Sequence, residues 1–230
     1  SASVTDDGGV IVAGHSQGGI SGANQGGRDA FVAKYDALGE ISWLRQFGSP
    51  NEDLAVSVRL DSLGNIYIAG YTEGGLDGTA KGSRDAFLSK YDDEGLMQWT
   101  RQIGTPSDDR GLAVAVDAIG NAYVGGWTFG ALESPNAGSR DSFVVKFGSD
   151  GTRVWGKQFG TAASDALTSL LVDAEGNLLA IGFTDGAIDG SNFGGTDFFM
   201  IRLSEQGDVL SSQQWGTASL DLATAAAVGP

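Results

Sequence analysis

The sequence predicts an all-β fold: a β-propeller of four blades, each a sheet of four antiparallel strands. Three observations carry that reading. Asp29, Asp85, Asp141 and Asp197 recur 56 residues apart, each followed two positions later by Phe31, Phe87, Phe143 or Phe199. The same interval separates Trp43, Trp99 and Trp155, and Gly48, Gly104, Gly160 and Gly216, and four intervals fill all but six of the 230 residues. No window shows a sustained 3.6-residue period with a helix cap, whereas short β-prone runs alternate with turn signals. A repeat that cannot bury its own apolar face must stack on copies of itself, so the period points to architecture before any motif is read.

The second copy shows the elements in order. Leu54 to Leu60 is the first strand, ended by the turn signal Asp61-Ser-Leu-Gly-Asn65. Ile66 to Thr72 is the second, followed by a Gly-rich loop from Glu73 to Arg84. Asp85 to Tyr91 is the third, Asp92-Asp-Glu-Gly95 the next turn, and Leu96 to Ile103 alternates as a fourth strand. We name these strands A to D. Two tight turns and one long loop suit a meandering blade better than a β-solenoid, whose coils are shorter. The chain reads as one domain over 1–230, with repeats beginning near 54, 110 and 166. Leu222 to Val228 aligns with Ala166 to Val172, and Ser1 with Ser57. Residues 221–228 are therefore expected to supply strand A of the blade formed by 1–48, closing a ring whose edges would otherwise be open.

Composition narrows the partners. The net charge of −15, from 14 basic and 29 acidic residues, repels phosphate backbones, so no nucleic acid is expected. No apolar run reaches the roughly 18 residues of a membrane span, so no membrane insertion is expected. There are no cysteines, which removes disulfides, thiolate metal sites and cysteine catalysis. No signal peptide is read, since Ser1 falls inside a repeat. The oligomeric state is left open.

His15 is the only histidine, so a Ser-His-Asp triad or a histidine metal site would rest on it alone. It occupies the position held by Tyr71, Trp127 and Phe183 in the other copies. These four rings end strand B and are followed by Ser16, Thr72, Thr128 and Thr184. They are the candidate ligand-binding set, because flat rings beside hydroxyls and carboxylates suit a sugar, with Asp77 and Asp189 as polar partners; the bland alternative is that they fill wedges between blades. No catalytic residue and no metal ligand is assigned, and no cofactor is expected. Ca²⁺ wants six to eight oxygens, which the loop acids and glycine carbonyls could supply, but no D-x-D-x-D loop appears. The recurrent Asp29, Asp85, Asp141 and Asp197 are read as structural, binding backbone N–H groups where the long loop enters strand C. Trp43, Trp99 and Trp155, replaced by Ser211 in the fourth copy, are read as packing between blades.

The runs D-x-x-G-N-x-Y-V-x-G over Asp117 to Gly126, G-S-R-D-A-F-x-x-K-Y-D over Gly82 to Asp92 and W-x-R-Q-x-G over Trp99 to Gly104 resemble the bacterial SBBP-type β-propeller repeat and, more distantly, NHL-type propellers. The resemblance covers the chain four times. It implies strand A innermost, strand D outermost, and the surface-exposed or secreted setting in which such repeats occur; the seven blades of the family name are not matched by four copies. The expected function is a non-catalytic binding or scaffold propeller, extracellular or at the cell surface, taking a glycan or protein on the loop-rich face. The alternative is a carbohydrate-active enzyme, a hydrolase or lyase, using loop carboxylates.

Overall fold

The computed structural model describes residues 1–227, and all their regular structure is β-strand. The first sheet holds β1 (Ala2–Val4), β2 (Val10–Ser16), β3 (Asp29–Tyr35) and β4 (Ile41–Phe47). The second holds β5 (Asp53–Leu60), β6 (Ile66–Thr72), β7 (Asp85–Tyr91) and β8 (Met97–Ile103). The third holds β9 (Asp109–Val116), β10 (Ala122–Thr128), β11 (Asp141–Phe147) and β12 (Arg153–Phe159). The fourth holds β13 (Asp165–Val172), β14 (Leu178–Thr184), β15 (Asp197–Leu203) and β16 (Val209–Trp215). Each sheet follows chain order, as the four-strand repeat predicts, and the pairings are antiparallel.

Turn chemistry sets the register. Asp61 Oδ1 accepts the N–H groups of Leu63 and Asn65, both at 2.9 Å, while Asn65 Nδ2 and the Tyr67 hydroxyl donate to its Oδ2. That accounts for D-x-x-G-N-x-Y: the Asp closes the turn, Gly64 takes φ +80, and the Asn and Tyr pin the carboxylate. Asp117 and Asp173 repeat the arrangement at Asn121 and Asn177.

Two compact units divide the chain, Ser1–Val114 and the part from Ala115 onward. In the first, Phe47 of β4 packs edge-on against Phe87 of β7, with centroids 5.9 Å apart, and against Tyr91. Trp43 reaches the turn of the next sheet, its Nε1 donating to the Asp93 carbonyl at 2.9 Å. The second unit repeats both contacts: Phe159 meets Phe199 at 6.2 Å, and Trp155 Nε1 donates to the Glu205 carbonyl at 2.9 Å. Packing between consecutive sheets is thus written into the repeat, as expected for these tryptophans.

Gly95 shows how tight that latch is. It has φ +75, and an added Cβ would stand 2.8 Å from the Trp43 ring; Gly39, with φ +84, would meet nothing within 4 Å. Both alanine variants incur the left-handed strain of about 1–2 kcal/mol, but only Gly95→Ala must also displace an indole. We expect Gly95→Ala to lower the denaturation midpoint clearly further than Gly39→Ala. Equal losses would show that the Trp43 contact is slack.

Closure of the first sheet by residues 221–228 is not established among the described residues. Residues 221–227 carry no strand, and Val228 lies outside the described residues. The inner strand of the first sheet is β1, which pairs from Ala2↔Val12 to Val4↔Val10. Residues 221–223 instead run beside β13, where Thr168 Oγ1 donates to the Ala223 carbonyl at 2.7 Å.

Candidate functional site

In each sheet the long B–C loop and the D–A connection lie at the same edge and are tied together. Glu73 N donates to the Glu52 carbonyl at 2.8 Å, Asp185 N to Ser164 at 2.9 Å, and Arg84 forms a parallel bridge with Asp108. This edge carries the predicted ring positions.

In the first unit, Tyr71 is half-buried at the end of β6, with two guanidinium groups over its ring. Arg110 lies 5.0 Å and Arg84 6.0 Å from its centroid. Both arginines are held by carboxylates: Arg84 donates to Glu73 and Asp108, and Arg110 Nε and Nη2 donate to Asp108 at 3.0 and 2.9 Å. The hydrogen bonds that Arg110 donates to Asp108 raise its pKa further. His15, in the matching position, is exposed, while the nearby Arg28 pairs with Glu52.

In the second unit, Trp127 is buried, with 7% of its surface exposed. Arg140 sits between two rings, 5.4 Å from Trp127 and 5.3 Å from Phe183, and donates to Ser164 Oγ at 2.6 Å. Phe129 meets Trp127 edge-on at 5.3 Å. The structure therefore brings two predicted rings, Trp127 and Phe183, around one arginine. These stacks are cation–π contacts, stronger where water is excluded.

Asp77 and Asp189 are held by outer strand D. Asp77 Oδ2 accepts the backbone N–H of Gln102 at 2.7 Å, and Asp189 Oδ2 that of Gln214 at 2.9 Å, so each pins its loop to outer strand D. Glu133 holds the same loop position and pairs with Arg153; burial raises its pKa against that partner. What the sequence reading missed is the arginines. Arg28, Arg84 and Arg140 precede the recurrent Asp in three copies, and that recurrence was the signal that a cation belongs beside the rings.

The recurrent aspartates are buried, as a structural role requires. Asp85 Oδ2 accepts Lys81 N at 2.7 Å and Gln102 Nε2 at 2.6 Å; Asp29, Asp141 and Asp197 accept the same pair of donors. Each has a second carboxylate for company at the start of the next strand A. Asp53 Oδ2 accepts Ser49 N at 2.6 Å, and its Oδ1 accepts the Thr72 hydroxyl; Asp165 repeats this with Thr161 and Thr184.

Burial raises the Asp53 and Asp165 pKa values, opposed by those hydrogen bonds and reinforced by Asp29 and Asp141 respectively. A carboxyl that binds its proton more tightly folded than unfolded stabilises the fold as pH falls. The gain starts near the folded pKa and is complete below the unfolded value of 3.8. Stability should therefore rise on mild acidification, and the double variant Asp53→Asn, Asp165→Asn should flatten that limb in denaturant titrations at stepped pH. An unchanged limb would assign it to other groups.

A cavity of about 560 Å³ lies at the opposite edge of the first unit, lined by turn residues including Thr5, Asp7, Lys34, Asp61, Leu63 and Asp93. Asp7, Lys34, Asp61 and Asp93 are engaged locally. Asp61 closes its own turn, Asp7 accepts Thr5 Oγ1 and Gly9 N, and Lys34 pairs with Asp93. Among the described residues, no three His, Cys, Asp or Glu side chains form a set that could hold a metal ion, and no helix is long and apolar enough to cross a membrane.

Four meandering sheets carry the repeat, and within each unit the two sheets are latched by the same contacts. Residues 42–77 and 98–132 match the family model of the SBBP β-propeller repeat, so the resemblance read from the motifs holds over those two stretches. A regulatory protein of Caulobacter vibrioides, FlaEY, is 27% identical over 166 residues, covering 65% of this chain and 17% of that protein. An uncharacterized WD repeat-containing protein of Acanthamoeba polyphaga mimivirus is 24% identical over 203 residues, covering 70% and 15%. The chain thus spans less than a fifth of the length of these relatives. Among solved structures, a protein of unknown function from Bacteroides caccae has TM-score 0.47 at 12% identity, covering 87% of this chain and 57% of that one. The Bacillus subtilis arabinanase Arb43A has TM-score 0.42 at 12% identity, covering 93% and 78%.

Proposed function

We propose that this chain is a non-catalytic β-propeller binding module, secreted or displayed at a cell surface, that takes a protein partner on the edge carrying the B–C and D–A loops. The observation that carries this is the state of the rings. Tyr71 is faced by Arg84 and Arg110, and Trp127 and Phe183 share Arg140. Ring faces covered by guanidinium groups are poorly placed to stack on a sugar, whereas arginine planes alternating with Glu73, Asp108 and Glu52 offer a charged mosaic of the kind that fixes register in protein interfaces. The loop carboxylates that an enzyme would use are engaged elsewhere, Asp77 and Asp189 on backbone N–H groups and Glu133 on Arg153. The similarity to a protein named as regulatory fits a binding role.

The test has two arms. Glycan-array binding, with and without EDTA, and turnover on a polysaccharide panel are expected to be flat. A photo-crosslinking residue at the exposed Thr79 on this edge, used in the host cell, is expected to capture a discrete polypeptide whose yield falls at least tenfold in Arg84→Glu. The same probe at Leu38, on the opposite edge, should not capture it. A specific glycan signal lost in Tyr71→Ala, or turnover lost in Glu133→Gln, would replace the proposal with the carbohydrate reading.

A further inference from the structure

Strand D ends each sheet, so one of its sides has no strand neighbour, and the B–C loop decides whether that side is open. All four loops are clipped at the same place, a loop N–H donating to Oε1 of a strand D glutamine. Ile20 meets Gln46, Leu76 meets Gln102, Leu132 meets Gln158 and Ile188 meets Gln214, at 2.8 or 2.9 Å. The residue after the clip differs from sheet to sheet. In the second it is Asp77, whose Oδ2 takes the outward N–H of Gln102 at 2.7 Å, while Lys81 Nζ donates to the carbonyl of the same residue at 2.6 Å. In the fourth it is Asp189, which takes the N–H of Gln214 at 2.9 Å. In the third it is Glu133, which turns to Arg153 of β12 and fills the space over Gly156; β12 also carries Lys157. Occupied backbone groups, an inward carboxylate and a lysine are each ways of keeping an edge strand from pairing.

The first sheet lacks these guards. Ser21 stands where Asp77 and Asp189 do, exposed and shorter than aspartate by a carbon, and Gln25 stands in the place of Lys81. Among the described residues no carboxylate takes the Gln46 N–H and no lysine its carbonyl. The alternation of the ladder turns Leu44 outward as well. Arg45 Nη1 reaches the Leu44 carbonyl at 3.1 Å, from an exposed side chain that is free to swing aside, and Arg45 is the one charged residue of β4.

We propose that β4 pairs antiparallel with β4 of a second copy of this chain, joining the two first sheets about a twofold axis through Leu44. Charge selects that register. Centred on Leu44, Trp43 of one chain stands opposite Arg45 of the copy and Ser42 opposite Gln46, so no like charges meet. The contact of Arg45 with the Trp43 ring, 5.5 Å inside one chain, is then repeated across the seam as a cross-strand pair. Centred on Arg45, two guanidinium groups would face each other, which is unfavourable. A foreign extended segment would find the same backbone groups, but it would have to bring its own partner for Arg45; the copy already carries an indole there. Twofold pairing uses the same strand side on both chains, so it closes at two.

Light scattering of the 23.6 kDa chain over a hundredfold concentration range tests this, together with amide hydrogen exchange. The expected result is passage from one chain mass to two, with exchange at Leu44 and Gln46 slowed at least tenfold at the upper end. Ser21→Asp gives the first loop the guard of the second and fourth, and should raise the midpoint concentration at least tenfold without changing the melting temperature of the dilute chain. Leu44→Pro, which removes an N–H that β3 does not use, should do the same to the midpoint. Ser21→Ala adds no guard and should dimerise as the wild type does. A wild-type chain that stays monomeric throughout overturns the proposal, as does a dimer whose slowed amides lie outside β4. So does a dimer that survives both Ser21→Asp and Leu44→Pro. Loss of the dimer in Ser21→Ala would place the contact on the serine side chain and equally overturn pairing through the strand.

Discussion

Trp127→Ala is expected to cost about 3–5 kcal/mol, the range for emptying a buried aromatic site. The indole is 7% exposed on β10, is flanked edge-on by Phe129 at 5.3 Å, and lies 5.4 Å below the Arg140 guanidinium. Removing it opens a cavity and leaves Arg140 with Phe183 as its remaining aromatic neighbour in this set. At roughly 2–4 °C per kcal/mol for a chain of this size, the melting temperature should fall by about 10 °C. Tyr71→Ala makes the useful contrast. Tyr71 is half-buried, so its removal should cost less stability and act more strongly on partner capture. A Trp127→Ala chain that melts with the wild type would make the ring a surface group, and the case for sugar stacking would reopen.

The two rings occupy the same place in the repeat, and that is why sequence alone could not separate them. The 56-residue interval, the turn motifs and the strand order were legible, because the period reports what every blade needs in order to pack. Trp43 and Trp155 read correctly as contacts between blades for the same reason, since each must meet the turn of the following copy. Burial of individual site residues was not legible, because it depends on which neighbour covers which face. Trp127 is enclosed, Tyr71 is partly open, and His15 is exposed, although all three end strand B. Asp77 and Asp189 looked like loop acids free for a ligand. Their contact with the N–H groups of Gln102 and Gln214, 25 residues away, has no short-range signal. The C-terminal segment aligned with strand A in sequence, and its capping by Thr217 follows the repeat.

Gly104→Ala should be as damaging as any core truncation, although it adds a single methyl group. The added Cβ would stand 1.9 Å from Asp85 Oδ1, well inside contact distance. The backbone is not the obstacle, since Gly104 is not among the positive-φ glycines. The obstacle is a short carboxylate that cannot swing away freely, because its other oxygen holds Lys81 N and Gln102 Nε2. Moving it takes an acceptor from two buried donors, at about 1–3 kcal/mol in all because Gln102 Nε2 keeps the Gly74 carbonyl, on top of overpacking strain of similar size. We expect a loss of about 2–6 kcal/mol by chemical denaturation. Asp85→Ala alone should lose about 1–3 kcal/mol, since it strands the same donors without a clash. The decisive measurement is the double variant. With the carboxylate gone, the methyl group has room, so Gly104→Ala added to Asp85→Ala should cost far less than in the wild-type background. A coupling above about 1 kcal/mol is the signature of two groups competing for one space. Additive losses would mean that the glycine is required for some other reason. Gly48, Gly160 and Gly216 face Asp29, Asp141 and Asp197 at 2.5, 2.4 and 1.9 Å, so the same non-additivity should appear in every sheet. That repetition explains why the aspartate and the glycine persist together through all four copies while the rings between them vary.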